Sequence, residues 1–293
     1  MYSAPNAAGE GYQSAHNAVY VGSAHSGVRG FMLFYGTTDI GRRRTVNQDN
    51  FIIKKYSRDI AVAVVCDGMG GARGGGVASS LAASAFMERL DAESEWLITG
   101  YGDTDADERI SDLLQSAVAA ANRAVHEGSE ASEDLSGMGT TLVSALITPR
   151  RIYAVNVGDS RMYLASAGSL TQITRDHSYV QYLVDIGKMT PRRAKSSGCK
   201  NIITRAVGTE SSVEADIYTI ERRSDGGTSY ILLCTDGLSN MVEPRDISAV
   251  LKSMNSDNRD SLSRAAERLT ALANERGGVD NITVVLMADG ESA

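Results

Sequence analysis

Five aspartates stand where short apolar runs begin or end, and their type and placement point to one kind of chemistry. Asp49 lies just before "FII", Asp67 just after "AVAVVC", Asp159 just after "YAVNVG", Asp236 just after "ILLCT" and Asp280 just before "NITVVLM". A strand end can hold a charged group rigidly on a buried framework and still let it reach solvent. Singly, each has a plain explanation, because Asp beside Gly or Asn is ordinary turn chemistry. Together they fit a metal site better, since carboxylates that converge at close range cannot all stay ionised without a compensating cation. Hard divalent ions with oxygen ligands, Mg²⁺ or Mn²⁺, suit that donor set. The four histidines show no paired spacing for zinc.

The elements that must carry these residues are legible in the same patterns. "FMLFYGTTD", "FIIKKYS" and "IAVAVVC" read as strands, being short, rich in β-formers and bounded by turn residues. "VASSLAASAFMERLDA" puts Val77, Leu81, Ala85 and Phe86 on one helical face. After a polar loop around Gly100 to Asp107, residues Ile110, Leu113, Leu114, Ala117, Val118, Ala121 and Val125 do the same for a longer helix. Four strands follow, "TTLVSALI", "RIYAVNV", "RMYLAS" and "LTQIT", the last two joined as a hairpin through Ala167 and Gly168.

Residues 178 to about 205 carry two short helical patterns with Pro191 between them and read as an insertion. "VEADIYTI" and "YILLCTD" are strands, helices fall near Arg245 to Leu251 and Arg259 to Glu275, and "ITVVLMA" is the last strand. Runs of strands interrupted by helix pairs predict an α+β fold: two stacked, mostly antiparallel sheets flanked by helices. Residues 1–30, rich in Gly, Ala, Ser and Asn without a sustained period, read as a flexible leader, and 31–293 as a single domain.

Composition narrows the function. With 29 Lys and Arg against 36 Asp and Glu, the net charge of -7 and the lack of a basic run argue against a nucleic-acid partner. Three scattered cysteines suit a reducing compartment better than a disulfide framework. No stretch approaches a membrane span and no signal-peptide pattern opens the chain, so the expectation is a cytoplasmic monomer without membrane contact.

Eight stretches in order carry a family resemblance: "RTVNQDNF" (44–51), "VVCDGMGG" (64–71), "SGMGTT" (136–141), "VNVGDSR" (155–161), "TRDHS" (174–178), "NIITRAVG" (201–208), "LLCTDGL" (232–238) and "GGVDNITVV" (277–285). The set resembles metal-dependent PPM/PP2C-type Ser/Thr protein phosphatases in their bacterial form, over about residues 33 to 289. The resemblance implies a β-sandwich with metal ions in a cleft at one end and hydrolysis of phosphoserine or phosphothreonine by a metal-activated water. It implies two or three Mn²⁺ or Mg²⁺ ions. Asp67 would bridge two ions with the Gly68 carbonyl contributing. Asp236 and Asp280 would complete one shell, Asp49 would act through waters of the other, and Asp159 with Asp236 would hold a third, weaker ion. Arg44 would bind the substrate phosphate, for which a guanidinium fork is well matched. The segment 178–205 would be the flap beside the active site. The partners implied are phosphorylated proteins, with a cognate Ser/Thr kinase acting in opposition.

The chain also departs from the pattern. Some members carry a histidine two residues after the bridging aspartate, where this sequence has Met69, and Ala72 and Gly76 replace a His and a Glu that commonly follow. The glycines of "GMGGARGGG" predict a mobile loop beside the cleft. The same glycines lack the Gly-Lys-Ser/Thr ending of a nucleotide-binding P-loop. His177 in "DHS" is the histidine that the motifs bring nearest, with packing its favoured role. Two rival functions remain at this level: a phosphate-binding module without turnover, and a hydrolase of non-protein phosphoesters. Retention of Asp49, Asp67, Asp236 and Asp280 counts against the first.

Overall fold

The computed structural model of the chain describes residues 31–100, 105–223, 225, 227–254 and 259–290. The leader expected over residues 1–30 lies outside the described residues. Two sheets run β1 (Phe31–Asp39), β11 (Ile282–Gly290), β10 (Ser229–Cys234), β7 (Arg161–Ser166), β8 (Ser169–Gln172), and β2 (Asp49–Lys55), β3 (Ala61–Met69), β5 (Leu142–Ile147), β6 (Arg151–Val157), β9 (Asp216–Glu221). A short β4 (Gly139–Thr140) also pairs with β3, and every strand pair is antiparallel.

The residues of β3 explain why its sequence is a continuous apolar run. Ala61, Ala63 and Val65 face the other sheet, where they meet Phe34, Ile231, Leu233, Val285 and Met287 in a core built from strands alone. Val62, Val64 and Cys66 point the opposite way, into a cluster with the helices α1 (Gly71–Asp91) and α3 (Ala106–Glu130). On the other sheet Leu232, Cys234, Val284 and Leu286 are likewise covered by α7 (Pro244–Lys252) and α8 (Arg259–Glu275). An antiparallel sheet usually leaves one face wet and alternates in sequence; here the inner strands β3, β5, β6 and β11 are buried on both faces and lose alternation, while β2 at the sheet edge keeps it.

Several local expectations change. The glycine-rich stretch is no loop: α1 starts at Gly71, inside it. Gly75 and Gly68 sit in backbone contact, since a Cβ built on Gly68 would lie 1.9 Å from the Gly75 carbonyl oxygen. The glycines therefore let the first turn of α1 press against β3, and close packing rather than mobility accounts for them. The buried stripe of α1 is Ala78, Ala82, Ala83, Phe86, Met87 and Leu90, with Val77, Leu81 and Ala85 half-buried at its border. A short helix α2 (Ser94–Thr99) precedes α3, where no helix was expected. Asp67 is not past the end of its strand but within it, as β3 continues to Met69.

The hairpin at Ala167 and Gly168 has φ of 50 and 76 at the two positions, the positive values that a two-residue primed turn requires. In the 178–205 segment, α4 (Tyr179–Asp185) and α5 (Pro191–Lys195) are capped by Ser178 and Thr190, whose hydroxyls accept from the Gln181 and Arg193 N–H groups. The segment is tied at its base by a bridge between Ser178 and Ile203.

Candidate metal centre

One end of the sandwich gathers the aspartates. Asp49 opens β2 and stands directly opposite Asp67 of β3 in the antiparallel register. Like charges facing each other across a ladder are destabilising, so this pairing has to be offset by something. Asp159 follows β6 at the turn begun by Gly158, Asp236 is the first residue of the one-turn helix α6 (Asp236–Ser239), and Asp280 precedes β11. A cleft of about 480 Å³ is lined by Asp67, Gly68, Asp159, Asp236 and Asp280 with Arg44 at its rim. Asp49 lies beneath it, 9% exposed.

Backbone geometry fixes the two carboxylates that end apolar runs. The Asp67 N–H donates to Thr141 Oγ1 at 3.0 Å, while its carbonyl accepts from Thr140 Oγ1 at 2.8 Å and from the Thr141 N–H at 2.9 Å. Asp236 is placed by the turn into α6, and Asn240 Nδ2 donates to its Oδ2 at 2.9 Å. The glycine after each aspartate is there for contact: a Cβ on Gly237 would lie 1.9 Å from the Asn281 carbonyl oxygen, as one on Gly68 would from that of Gly75. Neither glycine has a positive φ, so the turn explanation of "DG" does not hold at either site.

The electrostatics are those of an uncompensated acidic cluster. Burial, reinforced by the charges of Asp236 and Asp280 and opposed by hydrogen bonds from Thr283 and Thr235, pushes Asp49 up to about 7. Burial and then the charge of Asp49 hold Asp67 well above the usual carboxylate range. Burial with Asp236 beside it lifts Asp159 to about 7, and burial with Asp280 lifts Asp236 to about 6, against the pull of Lys200, Arg161 and Arg44. Arg44 donates from Nη2 to Asp280 Oδ2 at 2.7 Å.

Among the described residues no group of three or more His, Cys, Asp or Glu side chains closes on one point as a metal would draw it; the carboxylates ring an open cleft instead. Two buried carboxylate oxygens of this cluster nevertheless lack any partner among the described residues, Asp49 Oδ1 and Asp236 Oδ1. A buried carboxylate oxygen without a donor is costly. Hard divalent cations are the ligand class that satisfies both the orphaned oxygens and the excess charge, and the donor set fits them.

The comparisons agree with that chemistry. A family model described as protein phosphatase 2C matches residues 36–276. The chain belongs to the protein phosphatase 2C family. A serine/threonine phosphatase stp of Listeria welshimeri is 37% identical over 250 residues, covering 85% of this chain and 93% of that one. Protein phosphatase PhpP of Streptococcus pneumoniae is 34% identical, covering 87% and 96%. Among solved structures, the Mycobacterium tuberculosis serine/threonine phosphatase PstP/Ppp superposes with a TM-score of 0.73 at 34% identity, covering 89% of this chain and 99% of that one. A PstP catalytic domain in complex with two manganese ions gives 0.72 at 35%, with the same coverage.

Within this phosphatase 2C chain, His177 stays out of the cleft. Its Nδ1 accepts from the Gly158 N–H at 3.1 Å and its Nε2 lies 3.1 Å from Asp216 Oδ2. It props the turn that carries Asp159 from behind, in keeping with a packing role. Three residues were missed in sequence: Thr140 and Thr141, which clasp Asp67, and Asn281. The Asn281 side chain accepts from the Gln48 N–H at 2.9 Å and donates to the Ile40 and Val46 carbonyls at 3.0 Å, pinning the loop that bears Arg44. The adjacent threonines of "SGMGTT" and the Asn after Asp280 were the available signals.

Proposed function

We propose that Asp49, Asp67, Asp236 and Asp280, with the Gly68 carbonyl, hold two Mn²⁺ or Mg²⁺ ions, that Asp159 and Asp236 hold a third more weakly, and that Arg44 binds the phosphate under attack. The activity itself follows from the family: this is a metal-dependent protein serine/threonine phosphatase, and its substrates are phosphoproteins. The observation that carries the site assignment is the pair of orphaned buried oxygens on Asp49 and Asp236, within a cluster where burial and neighbouring carboxylates push Asp49, Asp67, Asp159 and Asp236 toward protonation.

When bound, divalent cations supply Lewis acidity toward water and toward phosphoryl oxygens. The residues of the chain do the rest. Thr140 and Thr141 hold the Asp67 backbone and so fix the point from which its carboxylate enters the cleft. Arg44, paired with Asp280 and half-exposed at the rim, offers its fork to the phosphoryl oxygens as they enter, and its charge offsets the negative charge that builds at the transition state. Met69 carries no proton, so the leaving serine or threonine oxygen takes its proton from solvent in the open cleft.

We place the enzyme in the cytoplasm as a monomer opposing a Ser/Thr kinase. Among the described residues the three cysteines are free, Cys66 and Cys234 being buried, and no helix is long and apolar enough to cross a membrane. The test is phosphate release from a phosphothreonine peptide with Mn²⁺, with Mg²⁺ and after EDTA. Release that depends on the metal and is lost in Asp236→Ala supports the assignment; full turnover in that variant overturns it.

A further inference from the structure

Two grooves adjoin the catalytic cleft, and they differ in what they could read. One, of about 350 Å³, lies under the 178–205 segment and shares Asp159 and Asp236 with the cleft. Its cations are largely spoken for: Arg161 forks onto Asp176 at 2.6 and 2.8 Å, and Lys195 is paired with Glu243 at 2.5 Å. The other, of about 310 Å³, runs along residues 203–214 and shares Met69 and Ile203 with the cleft. It leaves the cleft over an apolar sill and not over metal ligands.

That sill is built by the fold. Met69 pairs with Gly139 across β3 and β4. A Cβ on Gly139 would fall 2.8 Å from Met69 Cε and 2.7 Å from Thr209 Cγ2, so the bare glycine lets both side chains lie over it. Beyond the sill the groove turns acidic. Arg205 is engaged with Asp216 at 2.7 Å and with the Glu214 carbonyl at 3.1 Å. Glu210 and Glu214 use their backbone carbonyls for hydrogen bonds, while their exposed carboxylates have no partner among the described residues.

We propose that this groove binds the polypeptide flanking the phosphoresidue and selects substrates with an apolar residue next to the phosphothreonine or phosphoserine and a lysine or arginine a few positions beyond. The inference rests on the phosphatase reading. Continuity with the cleft gives the substrate chain a path along this groove once its phosphate sits by Arg44. The unpaired Glu210 and Glu214 then fix the sign of the charge they meet. Met69, standing where some relatives have a histidine, is a specificity-determining residue here and no proton donor.

The experiment compares kcat/KM, with Mn²⁺ present, for phosphothreonine peptides carrying Lys or Glu two to four positions from the phosphoresidue, on either side. p-Nitrophenyl phosphate, which has no flanks, is the reference. The Lys peptides on one side are expected to exceed their Glu counterparts about five-fold, through KM and with loss at high salt, as for two exposed charge pairs. In the double variant Glu210→Gln, Glu214→Gln the ratio falls to about one. Equal kcat/KM for Lys and Glu peptides, or a preference that survives in the double variant, overturns the groove while turnover of p-nitrophenyl phosphate leaves the phosphatase reading standing. No turnover of either substrate class overturns both.

Discussion

Asp67 and Asp236 end the same kind of sequence, an apolar run followed by Asp-Gly, yet the chain holds them by different means. Asp67 sits inside a strand, opposite Asp49 in register, with its peptide N–H and carbonyl both engaged by Thr140 and Thr141. Asp236 sits at the start of a one-turn helix, with Asn240 on one oxygen. The charges that act most on the first are four carboxylates, Asp49, Asp236, Asp159 and Asp280, while the second has Lys200, Arg161 and Arg44 to offset Asp280. The comparison teaches that a shared motif marks a shared need, two charges delivered to one cleft, and not a shared backbone. What the two sites do share is the following glycine, required because another backbone segment lies against it.

The largest effects are expected where that comparison is broken at the carboxylates. Asp67→Ala and Asp236→Ala should each lower metal-dependent turnover by about 10³ or more, since each removes a proposed metal ligand; phosphate release from a phosphothreonine peptide measures both. Next come the glycines. Gly68→Ala and Gly237→Ala should each destabilise the fold by ~2–4 kcal/mol, because each new Cβ meets a carbonyl oxygen that belongs to backbone and cannot rotate away. Urea melts of the two variants should fall together, and a harmless Gly237→Ala would show that the two contacts are not equivalent.

A pH series separates the sites by their electrostatics. Asp49 and Asp159 at about 7 and Asp236 at about 6 lie above their ordinary value, so the folded state binds more protons than the unfolded one. Their contribution is greatest at low pH and is lost as pH rises through about 6 to 7. Without metal, stability should therefore fall by ~2 kcal/mol or more between about pH 5 and about pH 8, and saturating Mn²⁺ should remove the slope. In EDTA at the upper pH, Asp67→Asn should raise the melting temperature more than Asp236→Asn, because four carboxylates bear on Asp67 while Lys200, Arg161 and Arg44 offset Asp280 at Asp236. The smallest effect belongs to the clasp: Thr141→Val should cost ~1 kcal/mol and lower turnover modestly, through the lost hydrogen bond to the Asp67 N–H.

Much of this was present in the chain before any fold was known. The five aspartates, their positions beside apolar runs, the two-sheet α+β architecture and the family pattern from Arg44 to Asp280 are local in sequence, because strand and helix periodicity and a carboxylate at an element boundary are local properties. The helical periodicity of Ile110 to Val125 matched α3, whose stripe is buried throughout. Residues far apart in sequence decided the rest. The glycines at 71 to 76 predicted a mobile loop, and only the closeness of Gly75 to Gly68 shows why they begin a helix. That Asp49 faces Asp67, that Asn281 pins the loop bearing Arg44, and that Met69 joins the cleft to an acidic groove are matters of register and packing. Spacing along the chain cannot encode them, because burial sets the charge and partners of each group, and burial exists only once the two sheets have closed.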